Sequence, residues 1–500
     1  MFHTDLWDVV RHLGAGKVGL EKEGLRVTRD GFMAQTRDPF IGNPNIVKDF
    51  SENQTEINTP VCSSTAEAVG FLEEYSALIR KTIGQMPEPE LLWPFSNPPY
   101  IRDDSEIPVA QYEGADRVKT EYRNYLAERY GKYMMTFSGI HFNYSFSDEL
   151  LRAEYEAVRG AEAGAAAGGS AERGAGSAEA GAEAGGSAER GTDAAEAGAG
   201  PYSSFRDFKD HFYVSLAAKM LVYNWLIVAV TAASPILDIS YLEKGKIGES
   251  AFNGMSSVRC SEMGYWNFFT PVLDYSSLEK YAESILGYIR YGIIWSESEL
   301  YFPVRIKPAG KYDVAKMARE GVSHIELRMI DLNPYERGGM DVRDAEFIKL
   351  LLIYVAALPE LEVTAHEQIL AVNNTKSAAH YDIDEVKIVL AGSEKAVGDC
   401  REKKESPADS HVPKGSETME LRAAALCVIG KMEAFFAEAA ALSGPAAERT
   451  LDAEKVQAVL AYQRRKFEVP EARYAFRVRK EYGEGFVEKG LKLAKEYSKI

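Results

Sequence analysis

Apolar residues recur at helical spacing over Asp5 to Leu13, Ala66 to Ile83, Glu121 to Glu128, Phe205 to Thr231, Ser277 to Tyr291, Asp344 to Leu358 and Glu420 to Leu442. Each stretch predicts a helix that turns one face to a core. Leu20 to Val27, Phe50 to Thr59, Met135 to Phe146 and Val322 to Ile330 instead alternate or are rich in branched and aromatic residues, which predicts strands. The two kinds of element do not strictly alternate along the chain. That order predicts an α+β fold around an antiparallel or mixed sheet. The most apolar run, Met220 to Ala233, contains Asn224, follows Lys219 and is closed by Pro235. It falls short of the roughly 20 apolar residues a membrane span needs and is expected to be a buried core helix.

Residues 159–200 break the pattern. They are almost entirely Ala, Gly, Glu, Ser and Arg, and GGSAERG occurs at Gly168 to Gly174 and again at Gly185 to Gly191. Such a segment has little to bury against the entropy of ordering, so it is expected to be a flexible insertion. A polar loop is expected over residues 398–418. The remainder reads as a single catalytic domain spanning residues 1–500.

Composition narrows the function. The chain has 500 residues, 46% hydrophobic and 27% charged, with a formal net charge of -17. A nucleic-acid partner would have to bind against that field through a basic patch, and none is apparent. Cys62, Cys260, Cys400 and Cys427 form no CxxC pair, which argues against a disulfide framework or a zinc site. The first residues, Met1 to Asp8, lack the basic start and apolar run of a signal peptide. These features together point to the cytoplasm, with no membrane association.

The predicted strands carry unusual chemistry. Side chains two apart on a strand share a face. Glu21 and Glu23 therefore pair on the first, Glu52, Gln54 and Glu56 on the second, His141 and Asn143 on the third, and His324, Glu326 and Arg328 on the fourth. Strands are depleted in Glu, and carboxylates on neighbouring strands repel unless cations sit between them. Hard oxygen donors with one histidine suit magnesium or manganese, and a cluster of this kind beside an arginine is what nucleotide phosphates need. Gly14 to Gly19 matches GxGxxG by letter, but a helical pattern precedes it and a strand follows, the reverse of a dinucleotide site.

The residues at this point resemble the glutamate-cysteine ligase family, in its bacterial type and in the ligase module of bifunctional glutathione synthases. GLEKEGLRV (Gly19 to Val27), DFSENQTEINTP (Asp49 to Pro60) and FSGIHFNYSF (Phe137 to Phe146) are similar to its metal-binding strands. Arg259 to Tyr265, Glu299 to Arg305, and Ile325 to Arg328 followed by Asp331 to Pro334 are similar to its RxSxxGY, ExYxPxR and IExRxxDxNP segments. The resemblance implies a glutamine-synthetase-like antiparallel sheet funnel surrounded by helices, holding two or three magnesium ions. It further implies metal ligands at Glu21, Glu23, Glu52, Glu56, His141 and Glu326, with Glu326 and Arg328 in catalysis. Tyr265, Tyr301, Arg259, Tyr130 and Arg328 are implied in substrate binding. The substrates implied are ATP, L-glutamate and L-cysteine, joined through γ-glutamyl phosphate in the first step of glutathione biosynthesis. Since no second ligase module is recognisable, the chain is expected to stop at γ-glutamylcysteine. Two other readings remain open here: a ligase of the same fold with another amine acceptor, and a binding protein that has lost catalysis.

Overall fold

The computed structural model describes residues 2–171, 201–390 and 417–499. Its centre is a seven-stranded antiparallel sheet. In chain order the strands are β1 (Gly16–Thr28), β2 (Ile46–Lys48), β3 (Gln54–Asn58), β4 (Glu90–Leu92), β5 (Gly139–Phe146), then two short outlying strands β6 (Ile236–Asp238) and β7 (Ser250–Phe252), and finally β8 (Val304–Lys307) and β9 (His324–Asp331). Across the sheet the order is β2-β3-β1-β5-β9-β8, with β4 on the far end of β1. The expected α+β class and the antiparallel sheet are what the fold has.

One face of the sheet is apolar. Leu20, Ile140, Phe142, Val304, Ile306, Ile325 and Leu327 all point into the main core. The helix Phe205–Thr231 packs against this region and is buried for nearly its whole length. Ser204 caps it by accepting from the Asp207 amide, which supplies one of the acceptors the first helical turn lacks. It is the one helix among the described residues long and apolar enough to cross a membrane, and 89% of its apolar window is covered by protein. The expectation of a core helix there holds, because apolar residues on every side need protein on every side. Val342–Ala357 and Ala365–Ser377 flank it.

Several boundaries move. The expected helix over Asp5 to Leu13 is reduced to Trp7–Val10, and the expected Glu121 to Glu128 helix extends over Arg117–Tyr130. The helix Asp148–Ala171 runs past residue 159, where the low-complexity insertion was expected to begin. Alanine has the highest helix propensity, so poverty in apolar anchors does not stop an Ala-rich stretch from continuing a helix already nucleated. The rest of that expected insertion, and the expected polar loop except Glu417 and Thr418 on a short strand, lie outside the described residues. Cys62 and Cys260 are free and buried, whereas Cys427 is disulfide-bonded. Sequence spacing gave no sign of that bond, since pairing depends on distance through space.

Candidate functional site

The polar face of the sheet is assembled by register. Glu21 on β1 lies opposite His141 on β5, Glu23 lies opposite Glu56 on β3, Asn143 on β5 lies opposite Glu326 on β9, and Arg305 on β8 lies opposite Glu326. Acidic and basic side chains from β1, β3, β5, β8 and β9 therefore converge on a single patch. His141 Nδ1 is 2.9 Å from Glu21 Oε2 and 3.8 Å from Glu326 Oε1, and its Nε2 is 3.7 Å from Glu23 Oε1. Ligand atoms of Glu21, His141 and Glu326 all lie within 4.8 Å of one another.

The register between β5 and β9 slips at this point. Ile140 pairs with Ile330 but Phe142 with Leu327, so two residues, Arg328 and Met329, face the single His141. This is a β-bulge, which bends a strand and re-aims its side chains. Its consequence is that Arg328 and Met329, although adjacent, both line the cavity at the site. Strict alternation would have sent one of them away.

The cavity is lined by Glu23, Asp49, His141, Arg259, Tyr265, Tyr301 and Arg328, with Met135, Phe137, Phe302 and Met329 as its apolar wall. Tyr265 and Tyr301 pack ring on ring, with centroids 4.2 Å apart. Arg259 donates to the Arg328 carbonyl at 3.0 Å and lies flat against Gly139, where a β-carbon would come within 2.2 Å of its guanidinium. Glycine is needed there for that close approach.

The charges are unequal in their surroundings. Burial opposes ionisation of Glu21, yet Lys307 and the hydrogen bond with His141 outweigh it and hold the carboxyl down to about 2. Burial likewise opposes ionisation of Glu326, but Lys307, Arg328 and Arg305 keep it well below the usual carboxylate range. Glu23 is pushed the other way, to about 7, by burial and by the Asp49 carboxylate. Glu56 is raised well above its ordinary value by burial, then by Asp49, Glu21 and Glu23. His141 is driven down to about 4 by burial and by Arg328, which favours the neutral imidazole that can ligate a metal. Two half-sites result: a cation-compensated one around Glu21, His141 and Glu326, and a mutually repelling one around Glu23, Asp49 and Glu56.

One expected residue is absent from the cluster. The strand expected over Phe50 to Thr59 begins only at Gln54, because Ser51 to Asn53 form the turn between β2 and β3. Glu52 sits on that turn, where its Oε1 accepts from Lys48 Nζ at 2.8 Å and from the Gln111 amide at 2.7 Å. The hairpin register, with Val47 opposite Glu56, carries Asp49 to the face where Glu52 was expected. Asp49 was within the quoted segment but unassigned; the turn formers Ser51 and Asn53 were the available signal. Tyr130 is also displaced from expectation. It does not line the cavity but stands behind Tyr301, edge to face at 5.3 Å. Lys307 was missed altogether: its Nζ is 2.7 Å from Glu326 Oε1 and 3.7 Å from Glu21 Oε1. Gly14 lies between a helical turn and β1, and Gly16 opens that strand, so the order is the reverse of a phosphate loop.

Comparison with known proteins gives consistent matches. The family model for glutamate-cysteine ligase matches residues 8–167 and 270–378. The glutathione biosynthesis bifunctional protein of Listeria welshimeri is 31% identical over 500 residues, covering 97% of this chain and 54% of that protein. The glutamate-cysteine ligase of Clostridium acetobutylicum is 29% identical over 392 residues, covering 68% of this chain and 72% of its own length. Among solved structures, the bifunctional glutathione synthetase of Pasteurella multocida superposes with a TM-score of 0.70 at 22% identity, over 98% of this chain and 53% of that one. The glutamate-cysteine ligase of Francisella tularensis in complex with AMP also gives 0.70, at 20% identity, over 97% of this chain and 88% of that one. The chain spans about half the length of the bifunctional relatives it matches.

Proposed function

This chain belongs to the glutamate-cysteine ligase family, and from that premise we propose that the site joins the γ-carboxylate of L-glutamate to the amine of L-cysteine at the expense of ATP. The observation that carries the reading is the convergence of Glu21, His141 and Glu326 within 4.8 Å, beside Arg328 and a cavity walled by Tyr265 and Tyr301. That arrangement supports cation, phosphoryl and acceptor functions lying side by side.

The donors fit magnesium or manganese. They are carboxylates with one imidazole and no thiolate. Glu326 Oε2 is buried and receives no hydrogen bond, with Arg305 Nη1 standing 3.8 Å away. An orphaned buried carboxylate oxygen is costly unless a cation satisfies it. Glu21, His141 and Glu326 would hold one ion, and Glu23, Asp49 and Glu56 a second. When bound, such ions neutralise and orient the β- and γ-phosphates of ATP. The protein should therefore melt at higher temperature in millimolar Mg²⁺ or Mn²⁺ than in chelator, with a gain of about 2.7 kcal/mol at a hundredfold excess over Kd. Equal melting temperatures in both would sink the metal assignment.

A carboxylate is a poor electrophile, so the γ-carboxylate of glutamate is activated by phosphoryl transfer from ATP. Arg328, on the cavity lining and 3.2 Å from Glu326, meets the negative charge on the passing phosphoryl group. The amine then attacks the acyl phosphate and phosphate leaves. Arg259, Tyr265 and Tyr301, lining the same cavity, orient the acceptor. The apolar lining of Met135, Phe137, Phe302 and Met329 limits water that would hydrolyse the activated acid.

Phosphate release measured with ATP and glutamate, adding L-cysteine, 2-aminobutyrate or ammonia in turn, tests the reaction. Cysteine should be preferred; release that favours another amine would reassign the acceptor within the same fold. Tyr265→Phe and Tyr301→Phe each remove a hydroxyl and keep the ring. A hydrogen bond to a charged group contributes roughly 1.5 to 3 kcal/mol, so the KM for cysteine should rise about tenfold or more. Those for ATP and glutamate should barely move. If ATP or glutamate binding weakens instead and cysteine is spared, the acceptor pocket lies elsewhere.

A further inference from the structure

We infer that Glu299 is a positioning residue for the acceptor pocket, acting through Tyr130 and Asn267 on Tyr301; the inference rests on the acceptor site proposed above. Glu299 ends a single 3-10 turn and its side chain is completely buried. Its Oε1 accepts from the hydroxyl of Tyr130 at 2.8 Å and from that of Tyr125 at 3.2 Å, and pairs with Arg129 Nε at 3.1 Å. Its Oε2 accepts from the Trp295 amide. A buried carboxylate so fully bonded is held in one rotamer, and it fixes its partners in turn.

The link to the pocket runs through Asn267. Its Nδ2 donates to Tyr130 Oη at 3.0 Å and to the Glu299 carbonyl at 2.8 Å, while its Oδ1 accepts from the Tyr301 amide at 2.8 Å. Tyr130 thus gives its one hydroxyl proton to Glu299 and receives a bond from Asn267, which leaves its ring to act as the wall against which Tyr301 stands edge-on. Phe268, 68% exposed, stacks on the Tyr130 ring at 4.8 Å and closes that wall from outside. Helix Arg117–Tyr130, the loop after Tyr265 and the segment before β8 are therefore tied at one carboxylate, one residue behind the cavity lining. Among the described residues no hydrogen bond joins the side chains of Glu21, Glu23, Glu326 or Arg328 to those of Glu299, Tyr130 or Asn267; the nearest link is Arg305, which donates to the Ser298 and Leu300 carbonyls and stands 3.8 Å from Glu326.

The test is a KM split. In Tyr130→Phe and in Glu299→Gln, the KM for L-cysteine should rise about tenfold, as loss of one charge-assisted hydrogen bond predicts. KM for ATP and for glutamate should stay within about twofold on the same grounds, and thermal melting should confirm a folded protein. A purely structural role would lower the melting temperature or the active fraction without selecting cysteine, and that result overturns the inference. Should Glu299→Gln fail to fold, Tyr130→Phe decides alone. If Tyr265→Phe and Tyr301→Phe raise the cysteine KM but Tyr130→Phe does not, the positioning role fails while the acceptor pocket stands. If none of the four variants affects cysteine, the acceptor reading itself falls.

Discussion

Asp49→Asn will lower turnover by about a hundredfold or more, the loss typical of removing one strong electrostatic group, while Glu52→Gln will leave it nearly unchanged. Asp49 takes the place on the polar face that was expected of Glu52. Asp49 lines the cavity and faces Glu23 and Glu56, whose carboxyls it helps to push upward. Glu52 sits on the turn, off the cavity lining, and is bound by Lys48 and the Gln111 amide. Glu23→Gln should match Asp49→Asn, because both sit in the repelling half-site that a cation would relieve. Turnover at limiting magnesium measures all three. A Glu52→Gln protein as impaired as Asp49→Asn would show that the turn rearranges when metal binds, and normal activity in Asp49→Asn would remove the second half-site.

Arg328→Ala will depress activity with every amine acceptor, by on the order of a thousandfold, since it removes the charge placed to meet the transferred phosphoryl group. Unlike the tyrosine variants, it should not discriminate among cysteine, 2-aminobutyrate and ammonia. Arg328→Lys should recover little, because the guanidinium fork and its reach across the bulge are not reproduced by an ammonium. The stabilisation by Mn²⁺ should survive in Arg328→Ala, as Glu21, His141 and Glu326 remain. Loss confined to one acceptor would move Arg328 from phosphoryl transfer to acceptor recognition; loss of metal stabilisation would make it a support for the cluster.

The residues that form the polar face were legible as strand patterns before any coordinates. Glu21 and Glu23 share a face within an unbroken strand, and so do His141 and Asn143, because period-two alternation depends only on local backbone geometry. The core helix Phe205–Thr231 was legible for the same kind of reason: its apolar run, serine cap and closing proline are local signals. Arg259 and Tyr265 lie on one segment and Tyr301 on another, which no periodicity joins, and only their family-like motifs set them apart in the sequence.

Tertiary structure decided the rest. A turn of Ser51 to Asn53 replaced Glu52 by Asp49, since register across a hairpin is set by where the chain reverses and a shift of a few residues changes which carboxylate faces inward. A bulge opposite His141 put Arg328 and Met329 on the same cavity, which alternation forbids and only pairing with β5 imposes. Lys307 entered the cluster through cross-strand neighbours that a linear reading does not contain. Tyr130 stands behind Tyr301 and off the cavity lining, its hydroxyl held by a carboxylate far along the chain. The sequence by itself determined the fold class, the chemistry available to the sheet and the faces within each continuous strand, all of which rest on local periodicity and residue type. Which carboxylates come within reach of one another, and which arginines and tyrosines line the cavity, were decided by strand pairing and buried hydrogen bonds, whose free energy exists only once distant segments meet.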